Sequence, residues 1–302
     1  MLAKIKNKEE KMKKTPIWIL MLSVTTVCIE VLRELSSFCI RKYEINQKSK
    51  DDQTAKGDIR LIFLSDLHGK NYGSKNVKLV KAVKKQRPDA ILIGGDMLTR
   101  TEKDTDCTAV SLLKELASIA PVYAANGNHE QKMKDEPEFY DDRYARYKEQ
   151  LLDCGVHILE NESCDVQWKG MPVTITGLEI PISCYSHFRE RPLAVKEIEA
   201  RIGKPDPSRY QVLLAHNPVY MEQYSRWGAD LTFSGHLHGG IIRLPFIGGL
   251  ITPQAQLFPR FSGDIYQTEG CYGIVSRGLG THTVNLRYLN MAELVSVTLK
   301  KE

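Results

Sequence analysis

Five short apolar runs in this chain each stop on residue types that can hold a metal ion. Leu61–Leu64 runs into Ser65, Asp66, Leu67 and His68, and Ile91–Ile93 into Gly94, Gly95 and Asp96. Val122–Ala125 ends on Asn126, Gly127, Asn128 and His129. Val212–Ala215 ends on His216, and Leu231–Phe233 on Ser234, Gly235, His236, Leu237 and His238. Length and β-branched or aromatic content mark each run as a buried strand. Ligands of open sheets gather at the carboxyl ends of such strands. Two Asp, one Asn and five His are therefore expected at one rim, more donors than a single metal ion takes.

A chain of 302 residues with 42% hydrophobic and 26% charged residues can bury a sizeable core, as one large α/β domain or two smaller ones. The formal charge is +5, but residues 1–14 hold six Lys against two Glu, so four of those five charges sit there. The body is close to neutral, and net charge gives no indication of a nucleic-acid partner. Seven Cys with no CxxC pair speak against a zinc finger or a disulfide framework and read as scattered small buried residues.

Residues 1–45 form a basic amino terminus followed by an apolar run. After Lys4–Lys14 and Pro16 comes the uncharged stretch Ile17–Ile29, about a dozen residues, where a full span takes roughly 20. The preferred reading is an uncleaved signal anchor, Lys side in the cytoplasm and catalytic body outside the membrane. A cleaved signal peptide and an amphipathic helix lying on the membrane or the body are the alternatives. Residues 46–57 read as a polar linker and 58–302 as the catalytic domain.

Periodicity predicts strand 59–64, helix 75–86, strand 90–94, helix 106–118, strand 121–125 and helix 138–152. Such alternation implies right-handed crossovers and a mostly parallel sheet. Val156–Leu159, Asp165–Trp168 and Val173–Thr176 look like successive strands, the sign of an antiparallel insert or a second sheet. Helix 194–202, strand 210–215, helix 219–226, strand 230–233 and strands over 272–276 and 294–299 complete the reading.

Asp66-Leu-His68, Gly95-Asp96, Gly127-Asn128-His129-Glu130, His216 and Gly235-His236-Leu-His238 follow one another in that order. The set resembles the calcineurin-like metallophosphoesterase family over roughly residues 58–240, most closely its membrane-associated bacterial envelope subgroup. The resemblance implies an α/β fold, a four-layer α/β/β/α sandwich with two mixed sheets. It implies two divalent metal ions (Mn, Fe or Zn): the first held by Asp66, His68 and His238, the second by Asn128, His216 and His236, with Asp96 bridging. A hydroxide between the metals would attack phosphorus in line. His129 would be no ligand but would stabilise the transition state or protonate the leaving oxygen. The donor chemistry agrees, because carboxylate, amide and imidazole suit borderline divalent ions and no thiolate sits in any motif. Asn126 and Glu130 read as loop or supporting groups, and His157, His187 and His282 as structural. Many family members carry Asp or Asn where Thr99 stands.

Residues 239–262 are apolar and broken by Gly and Pro. They read as a core-packing loop or as a lid for a lipid-like substrate, with Arg243 or Arg277 as candidate holders of a substrate phosphate. The implied activity is hydrolysis of phosphate esters on a small molecule, lipid or cell-wall polymer, at the cell membrane. A general or nucleotide-directed phosphodiesterase, or a catalytically weak metal-binding scaffold, are the rival readings.

Overall fold

The computed structural model describes residues 2–46, 55–186, 191–252, 256–281 and 284–301, with side chains from Ile19 onward. Its strands are β1 (Phe38–Asn46), β2 (Ile59–Leu64), β3 (Ala90–Ile93), β4 (Val122–Ala124), β5 (Val156–Ile158), β6 (Ser163–Trp168) and β7 (Met171–Leu178). They continue with β8 (Tyr210–Ala215), β9 (Leu231–Ser234), β10 (Ile242–Leu244), β11 (Gly248–Ile251), β12 (Asp264–Thr268), β13 (Cys271–Val275) and β14 (Ala292–Lys300). The helices are α1 (Leu2–Ser36), α2 (Val77–Gln86), α3 (Thr105–Ala117), α4 (Asn128–Asp135), α5 (Pro137–Tyr140), α6 (Arg143–Asp153), α7 (Val195–Ile202) and α8 (Met221–Trp227).

Alternation along the strands builds the layers. In β2, Ile59, Leu61 and Phe63 face a core between two sheets, while Ile62 and Leu64 face a core shared with α2, α3 and α6. In β8, Val212 and Leu214 enter the same central core, and Leu213 and Ala215 pack against α7 and α8. Three cores thus separate four layers, an α/β/β/α sandwich. The first sheet runs β1-β14-β2-β3-β4-β5 and the second β12-β13-β9-β8-β7-β6. Both are mixed: β2, β3, β4 and β5 are parallel neighbours while β14 meets β2 antiparallel. The Phe63 and Phe233 rings, 4.9 Å apart at an angle of 44°, join the sheets at the centre. Phe63→Ala would leave a cavity costing about 3–5 kcal/mol.

Several expectations change. The catalytic body begins before residue 58, because β1 pairs in parallel with β14 over its full length and forms the sheet edge. Its alternation is muted, as expected of an edge strand. Most of the expected linker lies outside the described residues. Among the described residues, no helix is long and apolar enough to cross a membrane, so the transmembrane span expected near the amino terminus is not supported. The helix expected over 138–152 divides into α5 and α6 at Asp141, whose backbone turns left-handed at φ 51°. Of the three strands expected between 156 and 176, β5 extends the first sheet while β6 and β7 pair antiparallel in the second. Among the cysteines only Cys184 is buried; Cys28 and Cys107 are exposed.

Candidate metal centre

The strand ends converge because backbone hydrogen bonds tie the loops that leave them. Gly94 donates to Leu64 O at 2.8 Å, Asp66 to Gly95 O at 2.9 Å, and Gly235 to His216 O at 2.9 Å. The two sheets are joined at the same edge by Leu279 N–H donating to Ser65 O at 3.1 Å. His236 N–H also donates to Asp66 Oδ1 at 2.9 Å. Five candidate ligands, Asp66, His68, Asp96, His236 and His238, have positive φ between 48° and 68°. Such backbone is uncommon for residues with a Cβ and clusters at functional sites, where surrounding structure must over-determine it. Here each turn points a side chain inward immediately after its strand.

Glycine makes the approach possible. A Cβ on Gly95 would lie 2.0 Å from Gly127 N, and one on Gly127 would lie 2.2 Å from Asp96 Oδ1. A Cβ on Gly235 would lie 2.2 Å from Asp66 Oδ2. Motif glycines therefore pass directly over the two candidate carboxylates.

Two groups of donors result. Asp66, His68 and His238 bring their ligand atoms within 4.8 Å of one another, as do Asp96, His216 and His236. Asp96 also groups with His68 and His129, so its carboxylate stands between the two sets. His68 Nε2 and His238 Nε2 are 3.2 Å apart, and His216 Nε2 is 3.2 Å from Asp96 Oδ2. Asn128 Oδ1 is buried with no hydrogen-bond partner. A buried acceptor left so costs ~1–3 kcal/mol, which a cation at the second group would offset. Oxygen and imidazole donors at these separations fit divalent ions of the Mn, Fe or Zn type.

Supporting contacts orient the imidazoles. His216 Nδ1 lies 2.6 Å from Gly94 O, and His238 Nδ1 lies 3.2 Å from Gly280 O. Hydrogen-bonding each Nδ1–H to a carbonyl turns Nε2 toward the centre, the arrangement metal-ligating imidazoles adopt, where a metal ion would displace any proton Nε2 carries. His129 is held the opposite way. Its Nδ1 accepts from Arg100 N–H at 3.0 Å, so the neutral ring carries its proton on Nε2. His129 thus presents a donor at the rim where the others present lone pairs.

Charge is balanced within the buried site. Burial would raise the Asp96 carboxyl, but His216, His129 and His68 hold it well below its ordinary value. Burial would lower His216, yet Asp96 and Asp66 push it up to about 10. Burial raises Asp66 to about 6, against the pull of His216. Burial and the neighbouring His68 drive His238 well below the usual imidazole range.

Sequence reasoning left Glu130 in a general supporting role, and the structure gives it a specific one. At the start of α4 it is buried and accepts three backbone N–H groups: Asp96 at 2.8 Å, Met97 at 2.8 Å and Gly127 at 3.1 Å. It locks two motif loops together. Asn126 instead donates to Tyr144 and Glu179 beside α6. Arg287, singled out by no motif, is buried and donates to the carbonyls of Asn290, Arg277, Gly278 and Gly280. Asn290 donates to His238 O at 2.8 Å. No motif marks these two, because their partners are backbone carbonyls, which carry no residue-type signature.

Arg243 and Arg277 do not join the donor groups. Both guanidinium groups close on Asp264, at 2.8 Å and 2.7 Å, and so brace the chain around β12. Thr99 is buried, with its N–H donating to Thr105 Oγ1 at 3.0 Å. His157 stacks on Tyr123, with ring centroids 5.0 Å apart, away from the rim. His187 and His282 lie outside the described residues.

The fold and site define a metal-dependent phosphoesterase class. The calcineurin-like phosphoesterase family model matches residues 59–240, more than half of the chain, and the protein belongs to that family. It is a hydrolase of phosphate esters. An uncharacterized metallophosphoesterase of Aquifex aeolicus is 28% identical over 86% of this chain and 91% of that protein. Uncharacterized metallophosphoesterase YkuE of Bacillus subtilis is 25% identical over 80% of this chain and 79% of its own length. Phosphodiesterase YaeI of Escherichia coli is 25% identical over 64% of this chain and 66% of its length. A dimetal phosphatase structure from Danio rerio is similar at 12% identity and a TM-score of 0.42, covering 73% of this chain and 88% of that one.

Proposed function

We propose that this phosphoesterase uses two divalent metal ions to hydrolyse phosphate esters presented at a membrane or on a cell-wall polymer. The observation that carries the dimetal part is the pair of donor groups meeting at Asp96. Asp66, His68 and His238 would hold one ion, Asn128, His216 and His236 the other, and Asp96 both. Bound there, such a pair lowers the pKa of water to near neutrality and clamps charge developing on phosphorus.

The chain's own residues supply the remainder. Nδ1–H groups on His216 and His238 keep their Nε2 atoms turned inward. Ser65 Oγ donates to Asp66 Oδ2 at 2.6 Å and fixes that carboxylate. His129 N–H donates to Asp96 Oδ1 at 2.9 Å, so the residue that would act on substrate is tied to the shared carboxylate. His129 Nε2–H then donates a hydrogen bond to the phosphoryl oxygen and stabilises the charge developing there.

The basic amino terminus and the exposed apolar residues of α1 support placement at a membrane surface. The name of the E. coli relative, a phosphodiesterase, supports phosphodiester hydrolysis, and a second reading has that reaction act on a soluble substrate. The test is metal analysis of purified protein together with turnover of bis-p-nitrophenyl phosphate, its monoester, a cyclic nucleotide and lipid phosphates. Two ions per chain and preference for lipid or polymer esters support the proposal. Zero ions after supplementation, with no turnover, overturns it. Faster turnover of the cyclic nucleotide selects the second reading.

A further inference from the structure

Next to the metal rim the chain leaves β9, makes the His236–His238 turn and enters the β10–β11 hairpin. The hairpin tip carries Phe246 and Ile247, both exposed, and the chain that follows exposes Leu257 and Phe258. Large apolar side chains projecting into water on both sides of β11 are not what a core-packing loop produces. Exposed apolar surface of this kind marks interaction sites.

The hairpin faces α1. A cleft of about 740 Å³ separates them, with Glu30, Arg33 and Glu34 on the helix side and Leu244, Phe246 and Ile247 on the hairpin side. The last turn of α1 is pinned to the body: Glu34 is buried and accepts from Asn290 N–H at 2.8 Å. Further along the helix, Ile19, Leu20, Leu22, Val24, Ile29 and Leu32 are exposed. Helix and hairpin therefore flank one cleft, each presenting apolar side chains to solvent.

Arg260 follows Phe258 by two residues, is exposed, sits 4.9 Å over the Phe261 ring and pairs with Glu222. The excess positive charge lies in sequence at the start of α1. The helix itself begins in the segment holding six Lys against two Glu. A Lys-rich segment leading into a helix with exposed apolar side chains is the composition of an interfacial element that lies in the headgroup layer of an anionic bilayer. α1 is too short in apolar length to cross, and the hairpin supplies a second foot.

The geometry points to a bipartite docking surface, α1 together with the tips at Phe246–Ile247 and Leu257–Phe258, that seats the protein on an anionic lipid bilayer. It rests on the reading of a membrane-borne substrate and adds the hairpin as the element that turns the metal rim toward the lipid. Because β10 begins only a few residues after His238, an ester anchored in that bilayer meets the rim without leaving the headgroup layer.

The test is co-sedimentation of the full chain with vesicles of phosphatidylglycerol and phosphatidylcholine, and with phosphatidylcholine alone. Wild-type protein sediments with the anionic vesicles, less with the neutral ones, and less again at high salt. The double variant Phe246→Asp, Phe258→Asp partitions ~10-fold more weakly or worse, since two apolar anchors become like charges of the lipid. Phe246→Ser with Phe258→Ser shows a smaller drop in the same direction, through lost apolar area alone. Thermal unfolding and metal content show whether each variant is intact. Vesicle binding unchanged in both double variants overturns the role of the hairpin, as does wild-type protein that fails to sediment. A dimer in analytical ultracentrifugation that the variants dissolve also overturns it and makes the face a self-association surface. Turnover of soluble bis-p-nitrophenyl phosphate separates the two claims: hydrolysis without vesicle binding sinks the docking surface and leaves the phosphoesterase standing.

Discussion

The metal rim and the hairpin that grows from it are neighbours in the chain and obey opposite rules. At the rim, polar side chains are buried and oriented: Glu130 spans two loops, Ser65 fixes Asp66, and Gly94 O and Gly280 O orient two imidazoles. On the hairpin and the chain that follows it, Phe246 and Phe258 are exposed, and apolar area is what they offer. The difference teaches which property each region depends on. Hydrolysis requires donors fixed in place, so substitution at the rim should act steeply. Docking depends on area and charge, so substitution there should act gradually.

The contrast is sharpest at Asp96. Asp96→Asn removes the charge shared by both donor groups, and kcat/KM should fall ~10³-fold or more together with metal content. Activity within about tenfold of wild type would break the idea that one carboxylate serves two ions. Next comes His129→Ala, expected to lower kcat ~10²- to 10⁴-fold while metal stoichiometry stays at the wild-type value. Loss of metal in that variant would make His129 a ligand and undo the tautomer argument built on Arg100 N–H. Glu130→Ala leaves three buried N–H groups without their acceptor, and unfolding should lose roughly 3 kcal/mol, melting about 5 °C lower. A melting temperature within a degree or two of wild type would show that the loops are held by other contacts. The smallest effect belongs to Phe139→Ser on α5, an exposed apolar residue outside both regions. Stability should move by less than about 0.5 kcal/mol, and neither turnover nor vesicle binding should change. A drop in vesicle binding there would mean that apolar exposure in general, rather than the hairpin, governs docking.

Much of the rim was legible in the residues. Runs such as Ile91–Ile93 and Leu231–Phe233 are apolar enough to be strands wherever they occur, and their last residues name the donors. The helix that opens on Asn128 was not legible. Residues 128–135 are almost wholly polar, and their helical form rests on Glu130 capping loops that only the fold brings near. β1 escaped notice for a similar reason: it continues an apolar amino-terminal run and becomes a strand by pairing with β14, at the far end of the chain. Arg243 and Arg277 read as phosphate holders because guanidinium suits phosphate, and nothing in the sequence signals that both also reach the Asp264 carboxylate.

Local sequence by itself determined the strands, their order, the donor types and the glycines that let backbone pass over carboxylate, because each follows from side-chain size, period and chemistry within a few residues. Tertiary structure alone decided that two sheets would end at one edge, that Asp96 would stand between two donor groups, and that His129 would face inward with its proton on the opposite nitrogen from the other oriented imidazoles. Those outcomes depend on hydrogen bonds between segments far apart in the chain, such as His236 to Asp66 and Leu279 to Ser65. No local pattern encodes contacts of that range.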